Sequence, residues 1–375
     1  MLLHRTLISA AITTALSAPA AFAETTIGGY GELHYNALTQ TEIDGGEKDK
    51  KEFDFHRFVL MFDHDFNDHV RFFSEVEIEH AFLKDTDTQT GSTINKAPGE
   101  LELEQAYIEI DLNDTSSIAA GVFLIPVGIL NETHEPPTFY GVERGPLEKD
   151  VIPATWWEAG IKYSGHTDIG LSYDLALHSG LKAPNGKIRD GRQKAASAAG
   201  EDLATTVRVK YTGMAGLEVA MTAQKQNNLQ QTVTDTDTPV AAPVAGADAT
   251  SATLWEAHAI YTLGALKLTA QRAAWDIDMT PTYTDPGNPA SKQAGTMVEA
   301  SYKINDKLGV AIRNTGWKTT VGVDNSQTIL AINYWPHEDV VFKVDYQNEK
   351  QEGHDDAEGE YKTIKGFNLG VGYQF

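Results

Sequence analysis

Hydrophobic and polar residues alternate with a period of two along most of the chain. In residues 367–375 the odd positions are Phe, Leu, Val, Tyr and Phe, and the even positions are Asn, Gly, Gly and Gln. Residues 169–178 and 340–347 repeat the pattern. Because successive side chains of a β-strand point to opposite faces, this alternation predicts strands with one apolar and one polar face. Helical periodicity is nearly absent, so the sequence predicts an all-β fold.

Sixteen strands are predicted, and the connections between them alternate between short and long. Tight turns are predicted at 66–68 and 214–215, whereas 84–100 and 180–203 are long and polar. A transmembrane antiparallel β-barrel has short periplasmic turns and long external loops, whereas a soluble two-sheet sandwich has no reason to separate them. The predicted strands are 25–36, 52–64, 69–83, 101–112, 117–128, 154–164, 167–179, 204–213, 216–227, 254–263, 265–276, 295–304, 307–318, 326–336, 338–350 and 362–375.

The first 23 residues have the features of a secretory signal. A basic start and an apolar stretch from Leu7 to Ala18 precede Ala21-Phe22-Ala23, a small-residue cleavage site. We therefore expect 1–23 to be a cleaved signal peptide and 24–375 to form one barrel domain. No later segment is a continuous apolar run of 18 residues, and a closed barrel is the all-β structure that satisfies its backbone in lipid. The predicted location is the bacterial outer membrane, reached through the periplasm.

Composition excludes several functions. The chain has 53 acidic and 30 basic residues, a net charge of −23, which argues against nucleic-acid binding. It has no cysteine, which excludes disulfides, thiolate metal sites and a cysteine nucleophile. No hydrolase, nucleotide-binding or zinc-protease motif occurs, and the 12 histidines are dispersed. We expect no enzyme activity, no cofactor and no metal site.

Similarity to a known family lies in four segments: Phe53–Phe62, Leu103–Ile110, Ala119–Glu132 and Phe139–Pro146. These segments resemble the Gram-negative outer-membrane porins, and among them the phosphate-selective porin O and P group. The resemblance implies a homotrimer of sixteen-stranded barrels, in contact with outer-membrane lipid and lipopolysaccharide. It also implies that the third long loop, here 129–153, folds inward to narrow the pore. The terminal Phe375 would present the C-terminal strand to the barrel-assembly machinery.

The loop 129–153 is the candidate constriction. Its length, the rigid Pro136-Pro137 pair and its mixed charges suit a segment that sets a local field in a pore. An ordinary surface loop is the alternative. The candidate constriction residues are Glu132, Glu135, Tyr140, Glu143 and Arg144.

If the apolar strand faces meet lipid, the charges on the opposite faces line the pore. Acidic residues slightly outnumber basic ones there, which departs from the basic pores of phosphate-selective porins. The predicted function is therefore a passive channel for small hydrophilic solutes and inorganic ions, weakly selective or mildly cation-preferring. Two alternatives stay open: a phosphate- or anion-selective porin with a local basic constriction, and a structural or adhesive barrel without conductance. The candidate pore-lining residues are Arg57, Arg71, Glu75, Glu77, Glu79, Glu109, Lys162, Arg208, Lys210, Arg313 and Lys343.

Three carboxylates share one face of a single predicted strand, at Glu75, Glu77 and Glu79. They suit a cation path or a divalent ion, but pairing with basic residues on neighbouring strands is the preferred interpretation. The alternation breaks in two strands. In 101–112, two leucines fall out of phase with two isoleucines, and in 265–276 an arginine falls on the apolar face.

Overall fold

The computed structural model describes residues 24–42, 44–81, 99–231, 248–284, 287–352 and 361–375. The predicted signal peptide lies outside these residues. The predicted fold class is confirmed, because sixteen antiparallel strands form one closed barrel in which each strand pairs with its neighbours in sequence. The strands are β1 Glu24–Glu42, β2 Glu47–Asn67, β3 Val70–Glu79, β4 Leu101–Asn113, β5 Ser116–Leu124, β6 Trp157–His166, β7 Leu171–His178, β8 Ala204–Met214, β9 Leu217–Gln226, β10 Asp248–Leu263, β11 Leu266–Thr280, β12 Pro289–Asn305, β13 Leu308–Thr320, β14 Asp324–His337, β15 Val340–Glu352 and β16 Tyr361–Gln374.

The last strand closes the wall against the first. Phe375 donates a backbone hydrogen bond to Gly29 and accepts one from it, at 2.8 and 2.9 Å. The helical elements of the described residues are short: 3₁₀ turns at Pro136–Thr138 and Arg189–Gly191, and a π-helical turn at Leu147–Val151. Within the described ranges, no helix is long and apolar enough to cross a membrane.

All seven two- to four-residue turns of the pairs β2–β3 through β14–β15 lie at one end, here called the short-turn end. The opposite end, called the loop end, carries the long connections. Two of its connections, at 43–46 and 321–323, are also short. The prediction that 37–51 is a loop is wrong, since β1 and β2 stay paired there, with Leu38 opposite Lys50.

A bulge in β4 explains its broken alternation. Glu75 pairs with Gln105 and the next residue, Val76, pairs with Leu103, so Glu104 is an extra residue without a partner on β3. A bulge turns one additional side chain without ending the strand. Leu101 and Leu103 therefore point outward as Ile108 and Ile110 do, and the side chain of Glu104 points into the barrel.

Outward-facing side chains near the short-turn end are apolar. On β14, for example, Leu330, Ile332 and Tyr334 are exposed on the outer face. Toward the loop end this apolar band stops at a row of polar side chains, here called the polar border row, in which Arg272 donates to Thr296 at 2.8 Å. Arg272 thus marks the edge of the band rather than interrupting it. The row is Arg272, Thr296, Asn314, Thr328, Asn348 and Lys365.

Beyond the polar border row the apolar faces turn inward. On β11 the side chains of Trp275, Ile277 and Met279 are buried in the barrel, whereas Asp276 is exposed outside. They pack with apolar residues of the connections β5–β6 and β7–β8, such as Val151. One strand therefore has an apolar outer face at one end and an apolar inner face at the other.

Candidate functional site

The connection between β5 and β6, residues 125–156, crosses the interior of the barrel and is here called the inner loop. On one side, Nη2 of Arg57 on β2 donates to the carbonyl of His134 at 2.9 Å. On the far side, Nε2 of Gln271 on β11 donates to the carboxylate of Glu148 at 2.6 Å. Because β2 and β11 lie across the barrel from each other, a segment that touches both lies inside it.

The two ends of the inner loop are tied together. The buried side chain of Asn131 donates to the carbonyls of Ile125 and Trp156 at 2.8 and 3.0 Å and accepts from the Trp156 amide at 2.7 Å. The amide of Ile129 donates to Glu148 at 2.6 Å. Burial raises the pKa of the Glu148 carboxyl. These bonds hold residues 132–146 as an arm that extends from a closed neck.

The arm packs closely against β16. A β-carbon added at Gly372 would lie 2.2 Å from Cβ of Pro136, and one added at Gly370 would lie 3.2 Å from Cγ1 of Val142. The Val142 amide also donates to Asp345 on β15 at 2.6 Å. The small residues on the polar face of the last strand thus give the arm room to approach the wall.

Several predicted pore-lining residues point inward but lie behind the arm, so they do not line an open bore. Arg57 is 2% exposed, and its Nε donates to Glu32 at 2.7 Å. Arg313 donates to the carbonyls of Tyr140 and Glu143 at 3.5 and 3.3 Å. The expectation of an accessible pore wall is wrong where the arm covers the side chain, as at Arg57, whereas Arg313 contacts the arm and also borders the interior cavity described below. The buried residues of this set are Arg57, Glu75, Glu77, Arg313 and Lys343.

The other predicted wall residues keep access to solvent or to the interior space. Arg71 pairs with Glu109 at 2.7 Å near the short-turn end. Lys162 lies over the ring of Phe123 at 5.4 Å, and Glu79 is partly exposed at the loop end of β3. Arg208 and Lys210 border the interior cavity described below.

The predicted constriction residues occupy different positions along the arm. Glu132 pairs with Arg208, and Oε1 of Glu143 lies 2.9 Å from Nδ1 of the buried His34. The ring of Tyr140 meets that of Trp335 edge-on at 5.6 Å. Glu135 lies near the pair Gly28 and Phe375, and Arg144 donates to Thr155 at 3.2 Å.

A cavity of about 240 Å³ remains between the inner loop and strands β8 to β13. It shares Thr138, Tyr140 and Lys267 with a wider space of about 600 Å³ at the short-turn end. Basic and acidic side chains are nearly equal in number on the cavity wall. Those able to carry a positive charge are Arg208, Lys210, His258, Lys267 and Arg313, and the carboxylates are Glu132, Glu148, Glu218 and Glu299.

Most of these charges are paired with one another. Arg208 binds Asp174 at 2.7 Å as well as Glu132, and His258 lies 3.2 Å from Glu218. Arg313 lies 3.8 Å from Glu299. Among the residues that the structure describes, Lys210 and Lys267 form no ion pair. They are the positively charged groups of the cavity wall without a direct ion-pair partner.

Sequence reasoning missed several residues that shape this interior. His34, His134 and Asp345 anchor or receive the arm, but a dispersed histidine or a single aspartate gives no signal without knowledge of what faces it. Glu104 was missed because period-two counting gives the wrong face after an unrecognised bulge. The two leucines out of phase with the rest of β4 were the available signal.

No protein-family model matches the chain. A curated relative, an uncharacterized protein of Aquifex aeolicus (strain VF5), is 38% identical over 192 residues, which cover 49% of this chain and 40% of that relative. The match thus spans less than half of either protein.

Solved structures of outer-membrane proteins share the fold at low identity. An anion-selective porin from Comamonas acidovorans has a TM-score of 0.62 at 12% identity, covering 94% of this chain and 100% of that one. The outer membrane channel DcaP of Acinetobacter baumannii has a TM-score of 0.62 at 13% identity, with 95% and 98% covered. Salmonella typhi OmpF, in complex with daunomycin, gives 0.57 at 16% identity, with 94% and 98% covered. The chain therefore has the porin fold, and the likeness does not single out the phosphate-selective group.

Proposed function

We propose that the protein is a porin of the bacterial outer membrane, a passive channel for small hydrophilic solutes and inorganic ions. The observation that carries the proposal is a cavity bordered by charged side chains inside a sixteen-stranded barrel, narrowed by a segment of the chain itself. Barrels of this strand number are wide enough to leave an aqueous channel. Passage through such a channel requires no nucleophile and no cofactor.

The paired charges of the cavity support weak ion selectivity. Rings of unpaired charge set the preference of a pore, and paired charges largely cancel beyond a few ångströms. The acidic surplus of the whole chain includes outer loops, where it is screened within about 8–10 Å. A second candidate, a phosphate- or anion-selective porin, is favoured by one observation only: the unpaired Lys210 and Lys267.

The direct test is the zero-current potential of the purified protein in a planar bilayer under a KCl gradient, followed by addition of phosphate to one side. We expect a stable conductance with a potential near zero. A strong anion potential with block by phosphate would support the second candidate instead. Failure to conduct would leave a structural or adhesive barrel as the better interpretation.

Neutralising the two unpaired lysines should shift selectivity toward cations. A unit charge about 5 Å from an ion in water changes its energy by about 0.8 kcal/mol, or roughly fourfold in local concentration. After screening, Lys210→Gln with Lys267→Gln should raise the cation-to-anion permeability ratio about two- to fourfold. Lys292→Gln is the control, because Lys292 is exposed on the outer face and pairs with Asp276. An unchanged ratio in the double variant would place the permeation path elsewhere.

The proposed membrane location predicts a cost for charge on the outer face. Ile332 is 47% exposed in the middle of the apolar band, so in a soluble protein Ile332→Arg would be nearly neutral. In lipid we expect it to lower the free energy of unfolding by about 2–4 kcal/mol. Thr328→Arg, on the same face of β14 but in the polar border row, should cost only about 0–1 kcal/mol. Reversible urea unfolding in lipid vesicles measures both values, and equal costs would contradict a lipid-facing band.

Export through the periplasm, signal-peptide cleavage, the homotrimer and its contacts with lipopolysaccharide belong to the same proposal. The apolar outer band supports contact with lipid. The pairing of Phe375 with β1 agrees with a role for the last strand in barrel closure, and engagement of the assembly machinery by this strand stays a prediction.

A further inference from the structure

A cluster of acidic groups lies buried where the inner loop meets β3 and β4. Glu75 and Glu77 of β3, Glu104 at the β4 bulge and His134 of the inner loop are each at most 3% exposed. Nε2 of His134 lies 3.8 Å from Oε1 of Glu75 and 3.7 Å from Oε2 of Glu104. Glu104 also groups with Glu77 and Glu102, with carboxylate oxygens within 4.8 Å of one another.

The polar side-chain atoms of Glu104 and His134 that face this cluster lack partners, whereas the two oxygens of Glu75 accept from Tyr30 and Gln105 at 3.1 and 2.6 Å. Among the described residues, the oxygens of Glu104 have no hydrogen-bond partner other than the adjacent carboxyl group of Glu77, and neither ring nitrogen of His134 forms a hydrogen bond. A buried polar atom without a partner is costly, and a buried carboxylate more so. Two such side chains facing one another at 3.7 Å form a pair of donor groups suited to bind a cation.

The neighbouring positive charges do not fill this role. Arg57 is committed to Glu32 and to the carbonyl of His134. No lysine or arginine of the described part of the chain forms an ion pair with Glu75, Glu77 or Glu104. The expected pairing of the β3 carboxylates with basic residues on neighbouring strands is therefore wrong for Glu75 and Glu77, because the nearest arginine is bound elsewhere.

We propose that Glu75, Glu104 and His134 bind one divalent transition-metal ion, with Glu77 beside it. Two ligands of a tetrahedral zinc ion, each 2.0–2.2 Å from the metal, are about 3.3–3.6 Å apart, close to the separations seen here. One imidazole with carboxylates suits Zn²⁺ or Mn²⁺ better than Ca²⁺, which takes six to eight oxygens. The bulge is what makes the set complete, since it turns Glu104 inward.

The ligands come from two parts of the molecule. Glu75 and Glu104 belong to the wall, and His134 belongs to the arm of the inner loop. A metal ion bound by all three would tie the arm to β3 and β4. Its effect on conduction rests on the proposed porin function, whereas the binding itself does not.

The test is calorimetric titration of ZnCl₂ into chelator-treated, detergent-solubilised protein. We expect the wild-type chain to bind one more equivalent of Zn²⁺ than Glu104→Gln and His134→Gln, or to bind it at least about tenfold more tightly. Other histidine and carboxylate groups, such as Asp54 with His56 and His80, give the same background in every variant. Glu256→Gln is the matched control, because Glu256 is equally buried on β10, across the barrel.

Equal zinc binding by the wild type and both variants would overturn the proposal and leave a proton shared between Glu77 and Glu104 as the neutralising group. If Glu104→Gln does not fold, His134→Gln carries the comparison, since it alters the loop and leaves the wall intact. Protein that conducts but lacks the zinc equivalent would contradict the metal site alone. Protein that binds zinc but does not conduct would contradict the porin function alone.

Discussion

Arg57→Met is expected to lower the free energy of unfolding by about 3–5 kcal/mol, because it breaks a buried ion pair by removing one partner. The guanidinium donates to Glu32 at 2.7 Å and to the carbonyl of His134 at 2.9 Å, and it lies 5.2 Å from the ring centroid of Tyr30. Its loss leaves the Glu32 carboxylate buried with His34 as its remaining ion-pair partner. The arm of the inner loop also loses its bond to β2.

Urea unfolding followed by tryptophan fluorescence measures this effect. Arg71→Met is the control, since Arg71 pairs with Glu109 at a largely exposed position and such pairs contribute about 0–1 kcal/mol. The double variant Arg57→Met with Glu32→Gln should recover part of the loss, because it removes the uncompensated charge. An Arg57→Met protein as stable as the Arg71→Met protein would show that the buried pair contributes little.

Excision of residues 132–146, which leaves the Asn131 neck intact, should raise the single-channel conductance several-fold. This arm crosses the interior from the cavity to β16, and its removal widens the narrowest cross-section. The flanking residues are already close, because the amide of Ile129 hydrogen-bonds to Glu148, so a Gly-Ser bridge can join them. The segment 147–156 stays in place and keeps Val151 against Trp275.

Single-channel recording in planar bilayers compares the excised and full-length proteins at the same salt concentration. A matched control replaces an equal length of the β7–β8 connection with the same bridge, since that segment lies at the loop end and does not reach β16. Unchanged conductance in the excised protein would mean that ions bypass the arm.

Much of the barrel could be predicted because its physical cause is local. Each strand alternates within its own ten or so residues, as in 367–375, and the alternation requires only that one face meet an apolar surface. All sixteen strands were found this way. The ends of the strands were harder to predict from sequence. β1 continues to Glu42 and β2 begins at Glu47, and both include charged residues that form strands because they pair with each other, not because of their composition.

The interior could be predicted only in part, since its causes are not local. Alternation correctly gave the face of Arg57 and Arg313, but not that the arm covers them, because burial depends on what lies opposite. The inward turn of Trp275 depends likewise on two distant connections that fill the loop end. Glu104 points inward because the bulge in β4 inserts one residue. The sign of this bulge in the sequence is that two leucines are out of phase with the rest of the strand.

The pairing of Phe375 with Gly29, which closes the barrel, also affects how the folded barrel unfolds. A closed sheet has no free edge from which strands can peel one at a time, so separating any pair exposes two unsatisfied edges together. The contact that joins β1 to β16 spans nearly the whole chain, and such long-range pairings form slowly. The persistence of this barrel should therefore depend on a high barrier to opening as much as on its equilibrium stability.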